Sequence, residues 1–492
     1  MAGSVAQGAV GSRASELVVD WLERLPAAVV GAGLVTAALA AFWLPGHDRA
    51  YNHFAWQAQA FLNGTAVIDW PVDLGGFPRG NDWMQDVYPL SELTGDPEAT
   101  GALLPFPPLP AIALLPFVAL WGLATDVRAV SVLGGALGLG LAWWALGGLP
   151  VSRPIRLATT VFVGFGTVFW YAAQLGTTWF FAHVVAVDLT LLAVGLALRA
   201  DPGADDPVDE APGVGRLAAD LGAGLASLVR RPLALVDRRQ FLAGLLFGVA
   251  CTARLTVVFA APFLMLVGGG GSWTRRSFSA GLGAIIPVGL LLAYNVATTG
   301  QLFHPGYEYQ YQREAQGYTA LGYHPEWSIE DPRYLPQNLG IMLAAGPAIL
   351  PEQLPGPFGE TDDQACVAPG ASRSLFDRDC PIAIPRAIGM SVLLTSPAYL
   401  LALPALLRRR SRLVVGAWLA ILAVAFVNVM HFSQGWVQFG YRFSNDFVVF
   451  AALLVGLGMA RRGGVGLAGL WLVGASVGIN LWGVIWGNIL GW

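Results

Sequence analysis

The sequence contains no lysine, so all 28 of its basic residues are arginines. Charged residues make up only 12% of the 492 positions, whereas soluble domains carry about 25%. Hydrophobic residues reach 55% and the mean hydropathy is +0.57. Apolar runs close to the roughly 20 residues that cross a bilayer recur along the whole chain. The composition therefore predicts an all-α polytopic membrane protein in contact with membrane lipids.

A basic segment interleaved with aromatic residues is also missing, which excludes the usual signature of a nucleic-acid-binding protein. The net charge of −4 says little about partners, because the charges are sorted into particular loops. We interpret that sorting below as membrane topology.

Cysteine is scarce, with three residues in the chain. Cys251 lies within an apolar run, whereas Cys366 and Cys380 share a long polar loop. A disulfide between the latter two would place that loop in an oxidising compartment and would contribute about 3 kcal/mol. Two free thiols are the alternative.

The arginines predict the topology of the chain. Arg13 and Arg24 precede the first apolar run, so the positive-inside rule makes residues 1–25 a cytoplasmic tail. A first span over about 26–45 then leads to an exterior loop, residues 46–104. Residues 105–124 and 127–149 could both span, yet Arg153 and Arg156 follow and should be cytoplasmic. One of the two segments should therefore not cross. We assign 105–124 as interfacial or re-entrant, because its five prolines break helices.

The remaining charges alternate consistently along the chain. Residues 240–272, which have cytoplasmic arginines on both sides, should form a hairpin with Arg254 at its outer turn. In total we predict about eleven spans and two large exterior loops. The other predicted segments are spans at 157–173, 179–199, 278–298, 388–407, 413–431, 446–460 and 465–486, a cytoplasmic loop at 200–239 and an exterior loop at 301–387. The predicted units are thus a membrane core over 26–300, the loop 301–387 and C-terminal membrane helices over 388–492.

A cluster of polar residues follows the first span, in the stretch LPGHDRAYNHFAWQAQAFLNG of residues 44–64. Asp48 is the strongest candidate for a general base, because one positioned carboxylate is enough to accept a proton. The alternative is that Asp48 caps the following helix. His47 and His53 could bind a divalent cation together with Asp48, although their spacing matches no specific ligand motif. We therefore predict no defined metal site and leave the cation open.

Polar groups on distant segments should meet at the same exterior face. Ionisable residues at a membrane edge are costly and indicate function. Arg254 and Arg442 suit a phosphate, which a guanidinium binds bidentately. The alternatives are an interfacial arginine for Arg254 and an Arg442–Asp446 pair that fixes a helix end. His183 could equally be a hydrogen-bonded residue at the end of a helix. The other candidate binding residues are Tyr51, His53, Tyr307, Glu308 and Gln438.

Several segments resemble the GT-C superfamily of membrane glycosyltransferases. They include HFAWQAQAFLNG, FPPLPAIALLPFVALWG, GTVFWYAAQLGTTWFFAHVVAV and GWVQFGYRFSNDF. The chain is most similar to the protein O-mannosyltransferase and aminoarabinose-transferase branch and to the Rgt-like transferases. The resemblance extends over nearly the whole chain but consists of soft patterns without a sharp signature.

This resemblance implies a GT-C-type fold and an exterior active site in the plasma membrane. It further implies inverting transfer of a sugar from a polyprenyl-phosphate-linked donor to a glycan, lipid or protein acceptor. Asp48 matches the position of the family's catalytic acidic residue in the first exterior loop. Many relatives carry an Asp-Glu pair there, whereas Arg49 follows Asp48 in this chain. The rival bases in the same loop are Asp69, Asp73, Asp82 and Asp86.

A transporter or flippase of lipid-linked saccharides is the alternative function. The sequence shows no inverted repeat and no paired broken helices in corresponding halves, which mark many transporter folds. The two long exterior loops also suit an enzyme better than a transporter.

Overall fold

The structure is a computed structural model and is mostly helical. It describes residues 23–44, 52–69, 86–206, 220, 222, 224, 235–317, 324–356, 359–408, 411–435 and 437–492. Within these residues, five helices are long and apolar enough to cross a membrane, or six if one bent pair counts as a single span. Four shorter apolar helices accompany them. The total of eleven spans therefore stays a prediction.

The α-helices follow the apolar runs of the sequence. In chain order they are α1 (Ala27–Trp43), α2 (His53–Leu62), α3 (Leu90–Thr94), α4 (Leu109–Trp121), α5 (Val127–Leu146), α6 (Arg153–Phe165), α7 (Phe169–Leu175), α8 (Thr178–Ala200), α9 (Arg238–Cys251), α10 (Pro262–Leu266), α11 (Trp273–Thr299), α12 (Gly306–Gly317), α13 (Leu335–Ala344), α14 (Val392–Thr395), α15 (Leu403–Arg408), α16 (Arg412–Met430), α17 (Val448–Arg461) and α18 (Gly466–Leu490).

The strands lie in the two segments that were predicted to be exterior loops. Three antiparallel pairs form, each with two strands: β1 (Tyr88–Pro89) with β2 (Ala102–Leu103), β3 (Ala348–Ile349) with β6 (Ala383–Ile384), and β4 (Gln353–Gly356) with β5 (Gly359–Gln364). Short 3-10 helices occur at Gly122–Ala124, Leu255–Ala260, Pro332–Tyr334, Pro397–Ala402 and Arg442–Asp446.

Helix α8 is the central helix of the bundle. Its most apolar 18-residue window is 72% buried, the largest fraction among the five long helices. It packs against α5 on one side and α9 on another, and α9 packs tightly on α11 because Gly244 and Gly248 lie against the backbone of α11. Small residues permit such close approach of membrane helices. At about 1.5 Å per residue, the 23 residues of α8 span about 34 Å.

The two ends of α8 carry different chemistry. Near Ala200, Asp201 accepts hydrogen bonds from Arg412 at 2.6 and 3.0 Å and from the backbone N–H of Gly268 at 3.2 Å. Segments 200–206, 264–269 and 411–412, which the arginine pattern places in or beside the cytoplasm, therefore meet at this end. The opposite end, near Thr178, holds the residues of the candidate site.

The predicted hairpin over residues 240–272 is present. Helix α9 ends at Cys251, and the chain then returns through Leu255–Ala260 and α10. Gln240 donates to the carbonyls of Leu264 at 2.6 Å and Val267 at 3.2 Å, so the end of the segment lies beside its beginning. Arg254 follows α9 directly and lies in the turn, as predicted.

Two predicted spans are not single straight helices. The segment predicted to span at 157–173 forms α6 and α7, which are bent by 50°. Thr167 bonds the carbonyl of Val163 in α6 and the N–H of Phe169 in α7, and such local side-chain bonds compete with the helix. The segment predicted at 388–407 is divided into α14, Pro397–Ala402 and α15, because Pro397 and Pro404 remove backbone donors.

The proline-rich segment contains a short helix, and its assignment as interfacial or re-entrant stays a prediction. Helix α4 has 13 residues and contains Pro116, so at about 20 Å it is shorter than the roughly 30 Å hydrocarbon core. It packs against α2. The predicted disulfide between Cys366 and Cys380 is also present, and Cys251 is a buried free thiol.

Candidate functional site

A buried carboxylate, Asp446, is the centre of the candidate site. Its oxygens accept hydrogen bonds from Arg254 at 3.2 and 3.0 Å and from the Thr256 hydroxyl at 2.7 Å. His183 Nδ1 lies 3.0 Å from Asp446 Oδ1, and both side chains are fully buried. A buried charge is tolerated only when it is paired and hydrogen-bonded. This network therefore fixes three distant parts of the chain at one point.

The local backbone explains why these side chains meet. Arg254 is in an extended conformation between the end of α9 and the 3-10 helix Leu255–Ala260, and its side chain reaches Asp446. Asp446 ends the 3-10 helix that precedes α17. His183 lies in the second turn of α8. One polar group from α8, one from the segment after α9 and one from the segment before α17 thus lie at the same end of the bundle.

Basic and imidazole groups surround the ring of Phe443. The guanidinium carbons of Arg442 and Arg254 lie 5.1 and 5.3 Å from its centroid, within the range of a cation–π contact. The rings of His183 and His431 lie 6.3 and 6.4 Å from it. Arg254, Arg442 and Phe443 therefore form one cluster beside Asp446. We call this cluster the arginine pocket.

Gly435 makes room for Arg442. A Cβ at this glycine would lie 2.7 Å from Arg442 Nε, and the residue has φ of +90°. Both facts favour glycine, which lacks a Cβ and adopts positive φ without strain. Arg442 also lies 5.9 Å above Phe180 of α8. The arginine is therefore held between two aromatic rings.

A second carboxylate, Asp86, lies next to the arginine pocket. It is buried, with 8% exposure, and accepts a hydrogen bond from the indole N–H of Trp179. Burial raises the pKa of Asp86 to about 7, although the bond from Trp179 and the charge of Arg442 oppose that rise. Its φ is +55°, a strained conformation for a residue other than glycine. A carboxylate that titrates near neutral pH can act as a general base.

His53 joins the start of α2 to α8. Its ring Nδ1 lies 2.8 Å from the Thr178 hydroxyl, which also accepts a hydrogen bond from the His53 backbone N–H at 3.1 Å. The His53 ring contacts the edge of Trp179 at 5.9 Å between centroids. His53 is fully buried. Its contacts with Thr178 and Trp179 hold the start of α2 against α8.

Tyr307 of α12 lies at the rim of the site. Its phenol interacts electrostatically with Arg254, Asp86 and Glu330, and burial raises the pKa of Tyr307 above its usual range. Glu330 in turn lies 3.2 Å from Nδ1 of His431. Segment 301–387 therefore supplies a phenol and a carboxylate to the same region.

Two other predicted residues make hydrogen bonds within their own helix or between neighbouring segments. Glu308 is exposed and accepts a hydrogen bond from Gln312 in its own helix at 2.9 Å. Gln438 is fully buried and donates to the carbonyls of Ile388 at 3.1 Å and Gln434 at 2.8 Å. Gln438 thus holds two loop segments together.

Several predicted residues lie outside the described residues, among them the leading candidate base. They are His47, Asp48, Tyr51, Asp73 and Asp82. Of the rival bases that are described, Asp69 is exposed and Asp86 lies at the site. Among the described residues no group of three or more His, Cys, Asp or Glu side chains could hold a metal ion.

The structure adds residues that the sequence alone did not single out. Thr256 bonds Asp446, Phe443 separates the two arginines, and Trp179 bonds Asp86. A tryptophan near the end of an apolar run is commonly a membrane anchor, so composition does not indicate the bond of Trp179 to Asp86. The sequence gives little signal for these roles, since each depends on a contact between residues far apart in the chain.

Comparisons with known proteins identify one similar solved structure. The crystal structure of the Archaeoglobus fulgidus oligosaccharyltransferase in the apo form is similar at 12% sequence identity and a TM-score of 0.35, over 94% of this chain. The chain spans 55% of that protein's length. No family model and no curated protein matches the sequence.

Proposed function

We propose that the protein is an inverting GT-C-type glycosyltransferase of the plasma membrane. It transfers a sugar from a polyprenyl-phosphate-linked donor to a glycan, lipid or protein acceptor on the extracytoplasmic side. The observation that carries the proposal is the arginine pocket. Two guanidinium groups from distant segments lie on one phenylalanine ring, beside a buried carboxylate whose pKa is near 7.

The arginine pocket binds the donor phosphate. A guanidinium presents its N–H groups in a planar fork that matches phosphate oxygens, and its attraction is strong where water is excluded. Arg442 is the proposed phosphate ligand at the rings of Phe180 and Phe443, and Arg254, which donates two N–H groups to Asp446, lies beside it. Arg254 contributes charge that stabilises the phosphate as it leaves.

A carboxylate of the first exterior loop accepts the proton of the acceptor. The acceptor hydroxyl oxygen attacks the anomeric carbon while the bond from that carbon to the phosphate oxygen breaks. The hydroxyl proton passes to the carboxylate, polyprenyl phosphate leaves with the electron pair, and the anomeric configuration inverts. Asp48 is the base in this proposal, and Asp86 is its rival. His53, at the start of α2, holds the loop that contains Asp48 against α8.

The remaining candidate residues surround the sugar and the acceptor. Tyr307 lies between the charges of Arg254, Asp86 and Glu330, where a phenol can hydrogen-bond a sugar hydroxyl. Tyr51, Glu308 and Gln438 complete the proposed binding set, and a divalent cation stays an open addition. His183 acts through Asp446, which it contacts at 3.0 Å.

The proposal is tested by sugar transfer with purified protein in nanodiscs. A panel of radiolabelled polyprenyl-phosphate sugars is offered together with a crude lipid and glycan extract. Wild type is compared with Asp48→Asn, Asp86→Asn and Arg442→Ala. Label should enter the extract with wild type, and the variant that lacks the true base should be inactive. If neither Asp48→Asn nor Asp86→Asn changes the rate, the proposed base chemistry is wrong.

A further inference from the structure

A carboxylic acid lies in the middle of the central membrane helix, away from the site. Asp188 is the eleventh of the 23 residues of α8. At about 1.5 Å per residue it lies about 15 Å from Thr178 and about 18 Å from Ala200. An ionisable side chain at this depth is costly and is by default a functional residue whose partner should be named.

Asp188 belongs to the one stripe of α8 that the bundle leaves partly uncovered. The partly exposed residues in the body of this helix are Val185, Asp188, Leu189, Leu192 and Leu196, whereas the residues between them are buried. Their spacing of three and four positions defines a single helix face. Every other member of this stripe is apolar, as expected for a surface in contact with lipid. Asp188 is the exception.

The carboxylate sits in a notch on α5. A Cβ at Gly138 would lie 2.3 Å from Asp188 Oδ1, and one at Gly134 would lie 4.0 Å from Oδ2. Asp188 Oδ1 is buried and has no hydrogen-bond partner within the described part of the chain. Next to the notch, Leu133 and Leu137 of α5 are 41% and 50% exposed. The acid and the two exposed leucines thus lie along one surface, the Asp188 face.

We infer that the Asp188 face binds a transmembrane helix of another membrane protein, one that carries an arginine or lysine at the bilayer centre. The exposed side chains of Leu133 and Leu137 give such a helix an apolar surface to pack against beside the carboxylate. A basic side chain at the same depth would neutralise the carboxylate, and each charge would remove the cost of burying the other. Protonation of Asp188 competes with binding of this partner, because the neutral acid also avoids the cost of burying a charge.

A second copy of this chain does not fit the described surface. In the five long helices that the structure describes, every arginine lies in the first or last turn: Arg128, Arg199, Arg275, Arg276 and Arg412. None of these helices brings a basic residue to the bilayer centre. The partner is therefore a different chain, and the inference holds whether or not the protein transfers a sugar.

The test measures association with synthetic helices in vesicles of phosphatidylcholine. The full chain carries a fluorophore at its C-terminus. The probes are two leucine-rich peptides of about 21 residues, long enough to span. One has arginine at its centre and the other has leucine there. Energy transfer should show that wild type binds the arginine peptide about tenfold more tightly, a difference typical of polar contacts between membrane helices at their stronger end.

Two variants distinguish the effect of the Asp188 carboxylate from the effect of the shape of the Asp188 face. Asp188→Leu should remove the preference for the arginine peptide. Leu137→Trp should weaken binding of that peptide while the carboxylate stays in place, because the added ring covers the face. Leu137 is exposed, so this variant keeps the test decisive if Asp188→Leu fails to fold. Equal binding of the two peptides by wild type would overturn the inference. So would a preference that survives either variant.

Discussion

Arg254 donates two hydrogen bonds to Asp446, from Nε to Oδ1 at 3.2 Å and from Nη2 to Oδ2 at 3.0 Å. The two residues are 192 positions apart in the chain. The pair connects the turn of the hairpin after α9 to the segment before α17, and His183 of α8 joins it from a third direction. It therefore aligns the arginine pocket and also stabilises the helix ends around it.

Removal of the Asp446 carboxylate should destabilise the protein strongly. Asp446→Ala leaves the buried His183 and the partly exposed Arg254 without their partner, and breaking a buried pair costs about 3–5 kcal/mol. We expect a large fall of the thermal midpoint in detergent, together with loss of transfer. Asp331→Ala is the matched control, since Asp331 pairs with Arg333, whose side chain is 55% exposed. A similar fall in both variants would contradict the central role of Asp446.

Arg442→Lys should weaken binding of the donor. Lysine keeps the charge but loses the bidentate fork and the stacking on Phe180 and Phe443. We expect the KM for the polyprenyl-phosphate donor to rise about tenfold or more, with a smaller change in kcat. The control is Arg333→Lys, because Arg333 also lies over an aromatic ring, that of Trp327 at 4.6 Å, but outside the arginine pocket. An unchanged KM in Arg442→Lys would exclude the phosphate contact.

If Asp86 is the base, the transfer rate should depend on pH near neutrality. Burial raises the pKa of Asp86 to about 7, and only the ionised form can accept a proton. The rate should therefore rise as the pH passes from 6 to 8, and Asp86→Asn should lose activity by about 10²–10⁴-fold. Asp48→Asn is the informative comparison. Should Asp86→Asn keep the full rate, Asp86 is not the base.

Asp86 should also make the stability of the folded protein depend on pH, and its raised pKa determines the direction of that dependence. Its pKa in the folded protein is above the ordinary value of 3.8, so the folded state binds more protons between pH 4 and pH 7. The stabilising contribution of the protonated acid is complete below about pH 4 and is lost as the pH rises through about 7. Asp86→Asn should remove this dependence, so at pH 8 the variant should unfold at a higher temperature than wild type. A lower midpoint at pH 8 would contradict the assignment.

The disulfide provides a test of sidedness. Cys366 and Cys380 are bonded, so a membrane-impermeant maleimide should label neither until a reductant is added. After mild reduction, intact cells should be labelled from the outside, and opening the loop should lower its stability by about 3 kcal/mol. The double variant Cys366→Ser/Cys380→Ser is the control for labelling at Cys251. Labelling that requires permeable cells would place the loop in the cytoplasm.

Helix packing at Gly458 makes a prediction independent of function. A Cβ at this residue of α17 would lie 1.7 Å from the carbonyl oxygen of Leu401, which backbone shifts alone could relieve. Gly458→Ala should therefore misfold or lose several degrees in thermal midpoint. Gly474→Ala in α18, where no atom lies within 4 Å of the added Cβ, should be close to neutral. Equal stability of the two variants would contradict the packing.

The sequence predicted the features that depend on local composition. The helices near 27–43, 127–146, 178–200, 273–299, 412–430 and 466–490 follow from apolar length, and the turn at Arg254 follows from arginines on both sides of one long apolar run. The disulfide followed from two cysteines in a polar loop. Composition does not determine where a helix breaks, so the bend between α6 and α7 was not predicted.

The contacts of the site could not be predicted in the same way. Arg254, His183 and Arg442 were chosen because topology placed them on one face, and the structure does bring them around Phe443. The sequence offered Arg442, four residues earlier, as a partner of Asp446, whereas in the structure Arg254 forms the pair. Neither charge pattern nor spacing contains that information, because Arg254 and Asp446 are held together by the packing of α8, α9 and α17.

The most direct test of the central claim is sugar transfer by the purified protein in nanodiscs with a panel of radiolabelled polyprenyl-phosphate sugars. Wild type should move label into a lipid and glycan extract, Arg442→Lys should require more donor, and Arg333→Lys should match wild type. If wild type transfers no label but moves labelled lipid across proteoliposomes, the protein is a transporter and the account of the site as a transferase is wrong.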